Sequence, residues 1–545
     1  MRRTSLFLVL LLFSSIMLVQ AEDSRDVKDR LAAFAAKFGQ DMIGALEILK
    51  PVDHPKIVDA IAGVYAYEDP NHVQPYDMVY DAADVILLTA TGDAVFDQML
   101  IYLEVRRMPR IRLRFTRALC KIANPRSLPV LAKMAGSEKD EMVQMELAMN
   151  LARFQSDEAL LTLYKLAMKS LSLNVSVAAV SSLGECKDEK SIELLLKLYD
   201  AATNAPGAVR GEALSALHTR KAVGIDDLIP SAIEDKDPAV RMAACSIAAD
   251  TNRSELGPKI IANLSAPEWQ LRSAAVKACG KLKLTESVGP LIELWKKEKG
   301  RIEEDIHKAL MEITGKSFPP DVRYWENWFK NLTEPLAPSD KAGEYINYHG
   351  IKTKSKNLAF VIDRSGSMSE KVKSKTDGYV GEGAVVKDDT KMAFVKAELI
   401  RVIKSLPPDT RFNIVAFDDQ IMSWKKEQTE AAPKVKEDAI KWVDALSPRG
   451  TTDIYDALCE AFGRLTPGGK VNTEYKTGPD TIFLLTDGMP NTGTISNPPD
   501  IIRNITQLNR IRQVAIHTIG VGKLCELFLK PLADSNNGTY RMIAE

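Results

Sequence analysis

An apolar residue followed by a polar one recurs along the middle of this chain, each time within a stretch patterned as a helix. Leu113-Arg114, Val143-Gln144, Val175-Ser176, Val209-Arg210, Val240-Arg241, Leu271-Arg272 and Ile302-Glu303 lie 30, 32, 34, 31, 31 and 31 residues apart. A constant period of this size is that of a repeat array built from helical hairpins. Four residues after the apolar member stand Ala179, Ala213, Ala244 and Ala275. That is one helical turn on, on the same face, where a small side chain lets a partner helix approach closely. Each unit continues through turn residues (GECKDEK, EDKDPAV) into a second amphipathic helix such as SIELLLKLY or VGPLIELWKK. One hairpin cannot bury its own apolar face, but stacked neighbours can. Residues 111–330 are therefore predicted to form an all-α solenoid.

The pattern of SAIEDKDPAVRMAACSIAAD resembles HEAT repeats, and the resemblance runs over about residues 110–315. It implies an extended binding surface without chemistry of its own. Residues 22–110 are patterned as helices without a readable phase, and are expected to be divergent repeats or an N-terminal cap. The aromatic cluster Tyr324, Trp325, Trp328 and Phe329 follows the last repeat and is expected to cap its open apolar end. Residues 331–356, with Pro335 and Pro338, read as a linker in which Ile351 to Thr353 form a lead-in strand.

The first 21 residues, MRRTSLFLVLLLFSSIMLVQA, combine a basic start, an apolar middle and small residues at Val19 and Ala21. That is the pattern of a secretory signal peptide cut before Glu22, and it predicts an exported protein, periplasmic or extracellular. No later stretch is long and apolar enough to span a bilayer. Lys+Arg is 72 and Asp+Glu is 73, so the net charge of −1 excludes the basic excess of a chain-wide nucleic-acid binder. Cys120, Cys186, Cys245, Cys279, Cys459 and Cys525 show no close pairing, and most lie within apolar helical patterns. They are expected to be small buried thiols. The six histidines are scattered, so zinc chemistry has no support.

From Asn357 the pattern changes. The apolar runs LAFVI, FNIVAF, TIFLL and VAIHTIGV alternate with helical stretches. Fully apolar strands between helices mean a mostly parallel, doubly wound α/β sheet covered on both faces. Ligands of such sheets bind at the carboxyl ends of the strands. There the sequence places Asp363, Ser365 and Ser367 after the first strand and Asp487 after a later one, with Thr452 just before a helix. Two carboxylates and three hydroxyls are hard oxygen donors, suited to Mg²⁺, with Mn²⁺ and Ca²⁺ as alternatives.

These motifs resemble those of the von Willebrand factor A domain and its metal-ion-dependent adhesion site. The family pattern DxSxS matches Asp363, Ser365 and Ser367; IYDAL at Ile454 to Leu458 assigns the family threonine to Thr452; LLTDG assigns the second aspartate to Asp487. The resemblance implies that Ser365, Ser367 and Thr452 touch the ion, with Asp363 and Asp487 acting partly through water. It also implies a protein partner that offers an Asp or Glu to the metal. Two departures stand out. Thr451 occupies the usual place of a second glycine, so two adjacent threonines compete for the ligand role. Ser369 to Asp389 is a longer, charged insert with Asp377, Glu382, Asp388 and Asp389, placed to shape partner choice or to occupy the site from within. Asp418 and Asp419 are read as turn residues at the same rim. No GxSxG, SxxK, P-loop or HExxH pattern occurs, and both site carboxylates are used as ligands, so no catalytic residues are assigned. The whole chain resembles exported bacterial proteins that join HEAT repeats to this domain. The expected role is a binding and scaffold protein whose repeats add a second interaction surface; the alternative is an assembly subunit in which metal only stabilises the fold, and a metal-assisted hydrolase ranks below both.

Overall fold

The structure is a computed structural model describing residues 25–50, 52–67, 76–90, 92–104, 107–332, 345–372, 381–463, 478–522 and 525–543. The signal-peptide segment 1–21, most of the Pro-containing stretch (333–344) and part of the charged insert, including Asp377, lie outside the described residues. The chain divides into two compact units, residues 1–198 and 199–545. Among the described residues no helix is long and apolar enough to cross a membrane.

The described residues of the first unit form helices and short 3₁₀ turns, with helices Pro109–Ile122, Glu141–Asn150 and Leu173–Glu185 packed one on the next. Helix Pro109–Ile122 buries three arginines, and each is matched by a buried carboxylate, Arg114 by Asp84 at 3.6 Å. Arg112 grips Glu138 through two bonds of 2.7 Å, and Arg117 meets Glu146 at 3.0 and 3.2 Å. Buried charges persist only when paired in this way. Ala179 is fully buried, as the small-residue rule requires.

The second unit begins with more helical hairpins. Helices Gly207–Thr219, Pro238–Asp250, Trp269–Lys281 and Arg301–Thr314 pack one on the next. Ala213, Ala244 and Ala275 are fully buried at these contacts. The backbones come close at Gly211, where a Cβ would stand 2.7 Å from the Ala239 carbonyl oxygen. The polar member of the recurring pair also has a structural task. Arg210 binds Asp235, Arg241 reaches Asn263 and Arg272 pairs with Glu298, so each arginine ties its helix to the end of the next helix. The turn EDKDPAV follows the same logic. Asp235 accepts from Asp237 N–H, Asp237 caps the helix by accepting from Ala239 N–H, and Pro238 fills the first helical position, where no donor is needed. Trp325 is completely buried against Phe318, His307 and Trp328. All six cysteines are buried, as expected of small apolar thiols.

Beyond the hairpins lies a seven-stranded sheet in the order β5-β4-β3-β7-β8-β9, with β6 paired to β4. The strands are β3 (Asn357–Asp363), β4 (Arg411–Phe417), β5 (Ile421–Ser423), β6 (Thr429–Glu430), β7 (Thr481–Thr486), β8 (Ala515–Val521) and β9 (Tyr540–Ile543). Strands β3, β4, β7, β8 and β9 run parallel; β5 and β6 are antiparallel to β4. Within the stretch read as a linker, the lead-in strand expected at Ile351 to Thr353 is present as β2 (Ile351–Thr353), and it forms a hairpin with β1 (Ile346–Tyr348), which the sequence reading lacks. Ile346, Tyr348 and Ile351 lie in the core of the α/β fold with Phe360 and Phe483. Their apolar alternation is too short to stand out beside the prolines that precede it.

The last long hairpin helix meets the amino-terminal edge of the sheet. Arg301 donates to the carbonyl oxygens of Asp480 and Gln513, just ahead of β7 and β8. Glu304 accepts from the Thr353 hydroxyl and the Lys354 N–H, while Lys354 pairs with Glu303 at 3.1 Å.

Candidate metal centre

Strand β3 ends at Asp363, which is fully buried. The chain turns at once, and the Ser365 N–H donates to Asp363 Oδ1 at 2.7 Å. The other carboxylate oxygen accepts the hydroxyl of Thr486, the last residue of β7. The next residue is Asp487, also buried, whose Oδ1 accepts the Ser367 hydroxyl at 2.7 Å. The Ser365 and Ser367 oxygens are 3.1 Å apart. Adjacent parallel strands thus bring the two carboxylates and two serines together, although Ser367 and Asp487 are 120 residues apart in sequence.

Thr452 arrives on a separate loop, ahead of helix Ile454–Ala461. Asn491 holds it from both sides: Thr452 N–H donates to Asn491 Oδ1 at 2.7 Å, and Asn491 N–H donates to Thr452 O at 3.0 Å. The Thr452 hydroxyl faces Gly488, 3.7 Å from where a Cβ there would stand. The neighbouring Thr451 hydroxyl oxygen is buried and makes no hydrogen bond. The loop is pinned to the DxSxS turn by Gly366 N–H donating to Gly450 O and Arg449 N–H donating to Arg364 O.

Charge is concentrated here. Burial first, and the neighbouring Asp487 carboxylate second, push Asp363 up to about 7. The buried Cys525 thiol beside them is pushed up to about 12, by burial and then by Asp487 and Asp363. Among the described residues no group of three or more His, Cys, Asp or Glu side chains is arranged to hold a metal. The donor set is two carboxylates with hydroxyls, and a hard divalent cation fits it: Asp363 is held in a place where its charge is costly, and a cation would offset that cost.

Several residues of the site were invisible in sequence. Lys391 opens helix Lys391–Ser405 and binds Asp487 Oδ2 at 2.8 Å and Glu370 at 2.7 Å. Asp418, read from sequence as a turn residue, is a fully buried ion-pair centre: its Oδ2 is 2.6 Å from Arg364 and 2.7 Å from Arg449. The cue was Arg364, a charged residue inside DxSxS that had to find a partner. In the insert, Asp388 accepts from the Thr390 N–H and hydroxyl, and Asp389 pairs with Lys371.

A family profile for the von Willebrand factor type A domain matches residues 386–542, which include Thr452 and Asp487 and begin after Asp363–Ser367. A profile for HEAT repeats matches residues 137–218. Inter-alpha-trypsin inhibitor heavy chain H3 of Mesocricetus auratus is 28% identical over 207 residues, covering 37% of this chain and 21% of the relative. The human heavy chain H4 is 28% identical over 207 residues, covering 37% of this chain and 20% of the relative. The chain thus spans about a fifth of the length of these relatives. Among solved structures, a von Willebrand factor type A protein from Catenulispora acidiphila is 22% identical, covers 36% of this chain and 40% of its own, and has a TM-score of 0.27. Both kinds of module generally mediate protein–protein contact, and von Willebrand factor A domains are generally non-catalytic. The chain carries HEAT repeats followed by a von Willebrand factor type A domain.

Proposed function

We propose that this protein is an exported binding and scaffold protein whose von Willebrand factor A domain holds a divalent cation, Mg²⁺ before Mn²⁺ or Ca²⁺, and through it captures an acidic side chain of a protein partner. The observation that carries the reading is the meeting of buried Asp363 and Asp487 with the Ser365 and Ser367 hydroxyls at the carboxyl ends of two parallel strands. Ser365, Ser367 and Thr452 would hold the ion directly, with Asp363 and Asp487 behind them. A bound cation supplies an uncompensated positive charge to which an outside carboxylate can add. The chain's own residues orient the hydroxyls: Asp363 fixes the Ser365 backbone, Asp487 aims Ser367, and Asn491 fixes Thr452. Both carboxylates of the site are engaged in hydrogen bonds within it, which favours binding over hydrolysis. The HEAT repeats add a second surface, and two modules on one chain raise the effective concentration for a joint partner. Export rests on residues 1–21 and predicts a mature chain beginning at Glu22, read by mass spectrometry of the protein from its host.

A thermal melt of the full chain in EDTA, Mg²⁺, Mn²⁺ or Ca²⁺, beside Asp363→Ala, tests the metal site. An ion that binds only the folded state adds about 2.7 kcal/mol of stability at a hundredfold excess over its dissociation constant. A metal-dependent rise absent from Asp363→Ala is the expected result. An equal response in both proteins refutes the site. Partners that survive chelation in a pull-down would favour the assembly-subunit role over metal-bridged capture.

A further inference from the structure

The ends of the charged insert are zipped together. Val372 N–H donates to Asp389 O, Lys371 and Thr390 form an antiparallel bridge, and Lys391 N–H donates to Glu370 O at 2.9 Å. This ladder sets the side chains of Glu370 and Lys391 next to each other at the mouth of the site. The Lys391 ammonium then touches two carboxylates of different character. Asp487 Oδ2, 2.8 Å away, belongs to a side chain with no exposed surface; Glu370 Oε2, 2.7 Å away, belongs to one that is 65% exposed. Lys391 itself is 18% exposed. One carboxylate of the proposed metal centre therefore already shares its charge with a tethered ammonium.

We propose that Lys391 is an internal competitor that sets the metal affinity of the site, and that Glu370 is the acceptor to which Lys391 retires when an ion takes up the charge of Asp487. The proposal rests on the metal-site reading above and deepens it. The physics is a like-charge conflict: an ammonium bonded to a ligand carboxylate repels a dication drawn to the same group, and in a partly buried site water screens little of that repulsion. Glu370 lowers the cost of moving Lys391 away, because the ammonium keeps a charged partner that is already within bonding distance. The consequence is a site tuned to weak, reversible occupancy, in which a partner's carboxylate can decide whether the ion stays.

The test is calorimetric titration of Mg²⁺ into the full chain, wild type against Lys391→Met, Lys391→Arg, Glu370→Gln and the double variant Lys391→Met/Glu370→Gln. Lys391→Met is expected to bind Mg²⁺ about tenfold more tightly, which is about 1.4 kcal/mol. Lys391→Arg keeps the charge and is expected to stay near wild type. Glu370→Gln is expected to weaken binding several-fold, and most of that loss is expected to vanish in the double variant, the coupling that a shared switch requires. A Lys391→Met protein that keeps its wild-type melting temperature in EDTA yet binds Mg²⁺ no more tightly than wild type overturns the proposal. So does a Glu370→Gln loss of equal size in both backgrounds. If wild type, Lys391→Met and Asp363→Ala all fail to bind Mg²⁺, the metal-site reading itself fails and takes this inference with it.

Discussion

Asp418 is the position where the physical argument is most exposed to test. Its carboxylate has no exposed surface and binds Arg364, whose side chain is 7% exposed, and Arg449, whose side chain is 48% exposed. Its other oxygen accepts the Gln420 N–H at 2.6 Å. Asp418→Asn keeps the shape and removes the charge, stranding the Arg364 guanidinium in the interior. Breaking one partner of a buried pair costs roughly 3–5 kcal/mol. The remaining amide oxygen can still accept one bond, so the lower end, about 3 kcal/mol, is expected. For a body of 150–250 residues that corresponds to a melting-temperature drop of about 6–12 °C. Arg449→Ala removes a half-exposed partner and is expected to cost under about 1 kcal/mol. Arg364→Met combined with Asp418→Asn removes both charges and is expected to recover most of the loss, since apolar replacement of a whole buried pair is often neutral. Urea unfolding of each variant, followed by tryptophan fluorescence and calorimetry, measures these differences. If Asp418→Asn lies within 1 kcal/mol of wild type, or the double variant is no better than the single, then the buried pair is not what holds the Asp363–Ser367 turn to the Thr452 loop.

Two further outcomes follow from the packing. Burial, and then the nearby Arg301 charge, hold His517 down to about 4, and its Nδ1 accepts the Thr539 N–H at 3.0 Å, a bond that protonation destroys. Because the folded value lies below the unfolded one near 6.5, the unfolded chain takes up the proton first; this contribution is complete above pH 6.5 and is lost as pH falls towards 4, by at most about 3 kcal/mol. Denaturation series at pH 4.5 and 7.5 should show a smaller pH effect in His517→Gln than in wild type; identical pH dependence would contradict the assignment. In the repeats, Gly211→Ala pushes a methyl to within 2.7 Å of a backbone carbonyl and should destabilise by about 1–3 kcal/mol, whereas Ser215→Ala, one turn along the same helix, should change little; a calorimetric scan in which the two variants match would speak against close helix approach at Gly211.

The parts of this protein legible in sequence are those where a local rule repeats. Val209, Val240 and Leu271 recur with a buried alanine one turn later, and their burial in the helical stack follows from period alone. Phe360, Ile414, Leu484 and Ile519 belong to runs that only a strand covered on both faces would bury completely. Asp363, Ser365, Ser367, Thr452 and Asp487 stand out in sequence because two strand ends and one loop carry recognisable short motifs. The residues that act on those five were not legible. Lys391 meets Asp487 across 96 residues, and Asn491 meets Thr452 across 39. No local pattern marks a lysine or asparagine for such a meeting; the sheet order brings them there. Nothing local marks the arginines of the repeat pairs as ties; only the following helix shows Arg210 and Arg272 in that role.

The Arg301 contact gives the second unit a mechanical axis. It grips the amino-terminal edge of β7 and β8, whereas Asp363 and Asp487 crown the opposite edge. Six or seven residues of parallel strand, roughly 20 Å, separate the two. A tug on a captured ligand would run lengthwise down β3 and β7 and leave through Arg301 into the hairpin helices. Parallel strands loaded in that direction must slide past one another, so their ladder bonds share the strain together instead of opening singly. Under the capture proposed above, the domain would be strung between an anchor at Arg301 and a load at the carboxyl ends of β3 and β7.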